Sequence, residues 1–313
     1  MKIVFMGTPD FAVASLDKLV KNNKDVVAVV TSPDKPAGRG QKIHESAVKK
    51  YAVEQGLKVL QPEKLKSEEF LSALKSLEAD LFIVVAFRML PEVVWNMPAL
   101  GTFNLHGSLL PQYRGAAPIN WAIMNGEKES GVTTFFLKHE IDTGSIIHQA
   151  KTPIHENMNA GELHDALMEI GADLVLKTVE DIESNNVHPI SQEETMKRNG
   201  LKESDLKHAP KIFKNDMLID WNKSAKEVYH HIKGLSPYPT AFTQLKGLGL
   251  KIYNIEISEN LNINPGEYKS DGKTYLKFQT ADQSISIRDL QLEGKKRMGI
   301  EEFLRGNGNM LMG

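Results

Sequence analysis

The sequence predicts an α/β protein of two domains, a doubly wound parallel sheet followed by a smaller β-barrel or sandwich. Three observations predict it. Continuous apolar runs alternate with helical patterns through the first half, the texture of strands buried on both faces. A polar, aperiodic stretch follows at 184–208, SNNVHPISQEETMKRNGLKESDLKH. Beyond it, short strands recur between clusters of turn residues.

In chain order, KIVFM (2–6) is the first strand, and GTPDFA (7–12) turns into a helix over 11–20, with Thr8 or Asp10 available as a cap. VVAVVT (26–31) and DLFIVVA (80–86) are further strands, with helical patterns at 45–55 and 67–76 between them. TFNLH (102–106) reads as a strand, and GVTTFFL (131–137) and GSIIHQA (144–150) as a pair around the turn at 139–143. A long helix over 161–183 closes the unit. In the second part the strands are KIYNIEI (251–257), TYLKFQT (274–280) and SISIRDLQ (284–291), separated by NPGEY and SDGKT. The expected division is a first domain at 1–189, a linker at 190–205 and a second domain at 206–313.

Composition narrows the chemistry. Of 313 residues, 41% are hydrophobic and 25% charged, as in ordinary globular proteins. The chain has no cysteine, which excludes disulfides, thiolate nucleophiles and Cys-based metal centres. No apolar run is long enough to span a membrane, and the N-terminus lacks the features of a signal peptide, so a cytoplasmic protein is expected. The net charge of −2 is unevenly spread: residues 206–313 hold 16 Lys and Arg against 12 Asp and Glu, leaving −6 on residues 1–205.

In open α/β sheets, ligands bind outside the carboxyl ends of the strands. The segment FNLHGSLLPQYRGAAP (103–118) begins at such an end. Period-2 alternation sends Asn104 and His106 to one side. An amide beside an imidazole can stabilise an oxyanion while the imidazole exchanges protons; an isolated histidine more often satisfies a loop backbone group. EIDTGSI (140–146) sets Asp142 in a tight turn. That aspartate is ordinarily a turn-former; its other reading is a carboxylate orienting His106. The ten histidines contain no HExxH pattern, and no metal is expected.

GTPDFA lacks the G-x-G-x-x-G spacing of a dinucleotide site, and GRGQKI (38–43) has Ile43 where the third glycine should stand. PDKPAGRGQK (33–42) is either a solvated loop or one that carries Lys35, Arg39 and Lys42 toward phosphates. The run Lys197, Arg198, Lys202, Lys207, Lys211 and Lys214 reads as a solvated face or as a basic connector for an RNA backbone.

Taken together, GTPDFA, PAGRG, NLHGSLLP, YRGAAP and IDTG, in this order, closely resemble the methionyl-tRNA formyltransferase branch of the 10-formyltetrahydrofolate-dependent formyltransferases, over essentially the whole chain. The resemblance implies a Rossmann-like formyltransferase domain and an OB-like β-barrel that contacts tRNA. It implies catalytic roles for Asn104, His106 and Asp142, folate binding by Ser108, Leu109, Leu110 and Pro111, and tRNA recognition by Arg39. It further implies 10-formyltetrahydrofolate as co-substrate, initiator Met-tRNA as partner and translation initiation as the process; a monomer is expected. AFRMLP (86–91) departs from the family, with Phe87 and Arg88 in place of Tyr-Gly, so pterin contacts are not carried over there. A glycinamide ribonucleotide formyltransferase, a folate hydrolase and a noncatalytic folate- or RNA-binding protein are the alternatives.

Overall fold

The computed structural model describes residues 1–37 and 42–311; Arg39 lies outside them, and of Lys42 only the backbone is described. The chain forms two compact units, each discontinuous in sequence. One comprises Met1–Gly115, Ser130–Thr152 and His164–His208, the other Ala116–Glu129, Pro153–Leu163 and Ala209–Gly313. The expected bounds of 1–189, 190–205 and 206–313 assumed contiguous pieces, because sequence texture cannot show which segments cross between units.

The first unit is built on β1 (Lys2–Gly7), β2 (Asp25–Val30), the short pair β3 (Lys35–Ala37) and β4 (Lys42–His44), β5 (Val59–Leu60), β6 (Leu81–Val85), β7 (Thr102–His106), the two-residue β8 (Arg114–Gly115), β9 (Glu129–Phe136) and β10 (Ile146–Pro153). Seven of these make one sheet in the order β10-β9-β7-β6-β1-β2-β5. The five strands from β7 to β5 are parallel, whereas β9 runs antiparallel to β7. Every residue of β6 is buried, as the unbroken apolar run requires of a central strand. Helices α1 (Asp10–Lys21), α2 (Ala47–Glu54), α3 (Glu68–Lys75) and the one-turn α4 (Glu92–Trp95) connect the parallel strands.

Local chemistry sets the helix starts. The Ser46 and Ser67 hydroxyls accept from the Lys49 and Phe70 amides and cap α2 and α3. Gly7 ends β1 where a Cβ would lie 2.6 Å from that of Ala12, so only glycine lets α1 begin so close to the strand. One face of the sheet packs Val4, Met6, Phe82 and Val84 against Phe70 and Leu74 of α3 and Val94 of α4. On the other, α6 (Ala160–Glu183) meets Leu105 of β7 at Gly171, where a Cβ would sit 2.8 Å from the leucine methyl.

The stretch expected as a linker carries structure of its own. α7 (Gln192–Arg198) is capped by the Ser191 hydroxyl and buries Gln192 to 3% exposure. The sequence lacks an apolar stripe there because one buried polar side chain, not a hydrophobic face, anchors the helix.

The second unit takes in α5 (Pro118–Met124), and two-residue β11 (His208–Ala209) precedes its α8 (Ala225–Leu235) and its strands: β12 (Ala241–Leu245), β13 (Leu248–Ser258), β14 (Tyr268–Ser270), β15 (Leu276–Gln279), β16 (Ser284–Leu292) and β17 (Met298–Gly299). They form an antiparallel sheet in the order β12-β13-β16-β15-β14, with β17 on β16. The sheet is a curled half-barrel of the OB-like kind; among the described residues its terminal strands do not pair to close it. Inward Leu250 and Ile252 of β13 are followed by inward Ile255, out of period by one residue, because the register shifts beside Asn254. Trp221 stacks on Phe278 at 4.8 Å in this core, and α9 (Ile300–Leu311) adds Phe303 and Leu304.

Candidate active site

β7 brings two expected residues to the carboxyl end of the parallel sheet. Asn104 pairs across with Val84 and Phe135, and His106 with Thr133, so their side chains share one face while Phe103 and Leu105 face the other. Asn104 is half-buried, and its amide makes no hydrogen bond to a described residue, which leaves it available to a ligand. His106 is 7% exposed. Its Nε2 donates to the Tyr113 carbonyl at 2.9 Å, and its ring stands edge-on to Phe135 at 6.4 Å. A carbonyl only accepts, so this bond places a proton on Nε2 and leaves Nδ1 to exchange one.

Nδ1 faces the Asp142 carboxylate at 3.9 Å, and that side chain is 17% exposed. The distance is too long for a hydrogen bond and short enough for strong attraction once the ring is protonated. Asp142 Oδ2 instead accepts from the Gly115 amide at 3.0 Å. The structure thus brings Asn104, His106 and Asp142 together, with the Tyr113 carbonyl, not the carboxylate, as the direct orienter of the imidazole.

Asp142 stands where it does because the D-T-G turn has no slack. At Gly144 a Cβ would lie 1.6 Å from the Phe136 carbonyl oxygen, which excludes every other residue. Tyr113 and Asp142 both adopt left-handed backbone, with φ of 61° and 54°, at a cost of about 1–3 kcal/mol each. Gln192 holds this arrangement. Its amide donates to the carbonyls of Asp142 at 2.7 Å and Gly144 at 3.0 Å, and its oxygen accepts from Arg114 Nε at 2.9 Å. YRG, IDTG and the start of α7 therefore meet through one buried glutamine, which no periodicity marks.

Ser108, Leu109, Leu110 and Pro111 follow directly. Ser108 donates its hydroxyl to the Gln112 carbonyl at 2.7 Å. Thr133 Oγ1 donates to the Ser108 carbonyl at 2.6 Å and accepts from the Leu110 amide at 3.1 Å, while Gln149 Nε2 donates to the Leu110 carbonyl at 2.8 Å. Leu110 is buried against Phe135 and Ile146, and Leu109 lies over Gly131, where a Cβ would be 2.5 Å from its methyl. With so many polar groups committed internally, the segment offers a ligand mainly a fixed shape. Thr133 and Gln149, which fix it, escaped the sequence reading because both sit inside strands.

The departing segment 86–91 rises beside the histidine, since Val85 pairs with Leu105. Ala86 has φ of 46°, and Arg88 donates from Nη1 to the Glu63 carbonyl at 2.9 Å and from Nη2 to that of Pro62. That clamp reaches the rim of a cavity of about 500 Å³ beyond β5, lined by Gln61, Pro62, Glu63 and Ser67 among others. Among the described residues no cluster of three His, Asp or Glu is placed to hold a metal.

Of the residues expected to meet RNA, Lys35 is exposed on β3. Exposed Lys207 fixes its backbone to the first unit, accepting from the Tyr113 amide at 2.6 Å and donating to Gln112 Oε1 at 2.7 Å. Lys211, in the second unit, is exposed with its ammonium 5.6 Å from the centre of the Phe213 ring.

A strand-end amide, an imidazole and a carboxylate on a Rossmann-like sheet are groups that acyl-group transfer can use. The formyl transferase family model matches residues 1–179, and the formyl transferase C-terminal domain model matches 211–308. A methionyl-tRNA formyltransferase of Bacteroides thetaiotaomicron is 54% identical over 312 residues, 98% of this chain and 95% of its own. One from Phocaeicola vulgatus is 56% identical over 313 residues, with the same coverage. The chain belongs to the methionyl-tRNA formyltransferase family. The same fold occurs in WlaRD, a sugar 3N-formyl transferase whose structure was determined in the presence of dTDP and 5-N-formyl-THF. Its TM-score is 0.68 at 22% identity, over 95% of this chain and 99% of that one.

Proposed function

We propose that this protein transfers the formyl group of 10-formyltetrahydrofolate to the α-amine of the methionyl moiety of initiator Met-tRNA, for translation initiation. The juxtaposition of Asn104, His106 and Asp142 at the end of β7 carries the reading. The amine attacks the formyl carbon and forms a C–N bond; the oxygen becomes an oxyanion that the Asn104 amide stabilises. Collapse breaks the bond from carbon to N10. The amine loses one proton and N10 gains one, with His106 Nδ1 exchanging them and Asp142 stabilising the imidazolium. The folate lies against the shape set by Ser108, Leu109, Leu110 and Pro111.

Lys35, Arg39, Lys42, Lys207 and Lys211 are the residues we assign to tRNA phosphates, and the region 206–313 to RNA binding, supported by its net +4 charge. On this reading Arg39→Ala raises the KM for Met-tRNA and leaves folate affinity unchanged. We read it as a cytoplasmic protein, a reading that a folate and a tRNA as substrates support. We read it as a monomer, which sedimentation at working concentration checks; no helix among the described residues is long and apolar enough to cross a membrane.

The test is incubation with 10-formyltetrahydrofolate and, separately, Met-tRNA, glycinamide ribonucleotide or water, following released tetrahydrofolate. Release only with Met-tRNA supports the proposal; release with either alternative acceptor and not with Met-tRNA replaces it.

A further inference from the structure

Phe213 is 61% exposed, while its chain neighbour Ile212 is taken inward; Leu218, further along, is exposed as well, at 51%. Ile212 and Met217 pack against the core of the second unit, whereas Lys211, Phe213 and Lys214 are exposed. Alternation of the extended chain through Ile212 turns Lys211 and Phe213 outward together, and the Lys211 ammonium stands 5.6 Å from the ring centre. The segment is held at both ends. The carbonyl of Ala209 accepts from the Ala117 amide at 3.2 Å and that of Pro210 from Trp121 Nε1 at 2.8 Å, while the Ile219 amide donates to the Phe242 carbonyl at 2.9 Å. Phe213 itself is pinned on both backbone groups: its amide donates to Asp216 Oδ2 at 2.8 Å and its carbonyl accepts from the Asp216 amide at 3.0 Å.

Single exposed apolar residues are common and mean little. Here an aromatic ring is presented on a fixed backbone between two lysines, and among the described residues it is not one of the side chains packed on the core of its unit. Flat rings interleaved with cations are what single-stranded nucleic acid binds, because every base has a face to stack and every nucleotide a phosphate to neutralise. We propose that Phe213 is a stacking platform for an unpaired base of the RNA substrate, with Lys211 and Lys214 on the adjoining phosphates. This rests on the reading that the substrate is a tRNA, whose 3′ end supplies unpaired bases. It adds a base contact to what charge alone supports.

The experiment measures binding of the full-length protein to initiator tRNA, intact or lacking its unpaired 3′ nucleotides, across a salt series. For intact tRNA, Phe213→Ala is expected to lose roughly 10-fold or more in affinity. Its salt slope should stay that of the parent, since no cation is removed. Phe213→Trp restores affinity, and its added indole fluorescence is quenched when RNA binds. On trimmed tRNA, parent and Phe213→Ala bind alike. Parent-like affinity of Phe213→Ala for intact tRNA overturns the proposal, as does an equal loss on intact and trimmed RNA. Because the ring is exposed, Tm is expected to be unchanged, which separates lost stacking from lost folding. A failure of the formyl-transfer reading shows differently, as absence of turnover in the parent protein.

Discussion

The polar groups of the first unit's site and those of the second unit's surface are used in opposite ways. Around His106 most donors and acceptors other than the Asn104 amide are committed: Gln192 makes three hydrogen bonds and Thr133 bridges two backbone groups of one loop. In the second unit Lys211 and Lys214 are exposed, and core order comes from apolar packing around Trp221 and Phe278. Transition-state stabilisation needs dipoles that are already oriented, so their ordering is completed during folding. Recognition of a polyanion needs charges that water can reach until the ligand displaces it. Damage in the first region should therefore appear in kcat, and damage in the second in salt-dependent binding.

The largest effect is expected at Asn104. Asn104→Ala removes a donor aimed at developing charge and should lower kcat by about 10² to 10³, with folate affinity retained in equilibrium titration. Near-normal turnover would show that the oxyanion does not depend on this amide. Next comes the pair His106 and Asp142. Combining His106→Ala with Asp142→Asn should cost far less than the product of the single losses, because the carboxylate acts through the imidazolium. Multiplicative losses in single-turnover kinetics would make them independent.

Gln192→Leu tests whether the network around the site is a positioning device. It leaves the Asp142 and Gly144 carbonyls and Arg114 without a shared partner. A stability loss of about 1–3 kcal/mol is expected in urea titration. The drop in kcat should exceed any change in KM for tRNA. Lys211→Ala probes the other region: the slope of log affinity against log salt should become shallower by about 1, with kcat at saturating tRNA unchanged.

The smallest effect belongs to an ion pair remote from both. Lys177 and, secondarily, His148 hydrogen-bond the Asp181 carboxylate at 2.6 and 2.7 Å and hold its pKa below the ordinary 3.8. A depressed carboxylate stabilises the fold above the ordinary value, and that contribution is lost as pH falls through the folded one. Asp181→Asn should thus cost about 0.2–1 kcal/mol at neutral pH. The gap in Tm should close as the pH falls below 3.8.

The strands of the first unit were legible because a buried parallel strand writes itself as an unbroken apolar run: KIVFM, VVAVVT and DLFIVVA each became one. TFNLH coincided with β7, and strand alternation sufficed to set Asn104 beside His106. Ala241–Leu245 and Tyr268–Ser270 passed unread, the first because its five residues include the adjacent polar pair Thr243 and Gln244 and the second because three residues carry no period. What the sequence determined by itself was local: which runs bury, where helices are capped, and which residue types stand at a strand end. Only the tertiary structure decided that Asp142 bonds the Gly115 amide, that the Tyr113 carbonyl aims the imidazole and that Gln192 joins three segments. Those contacts link residues remote in the chain, and a hydrogen bond between two loops leaves no periodic trace in either. The half-barrel followed the same division, since alternation announces strands while closure depends on how far the sheet curls.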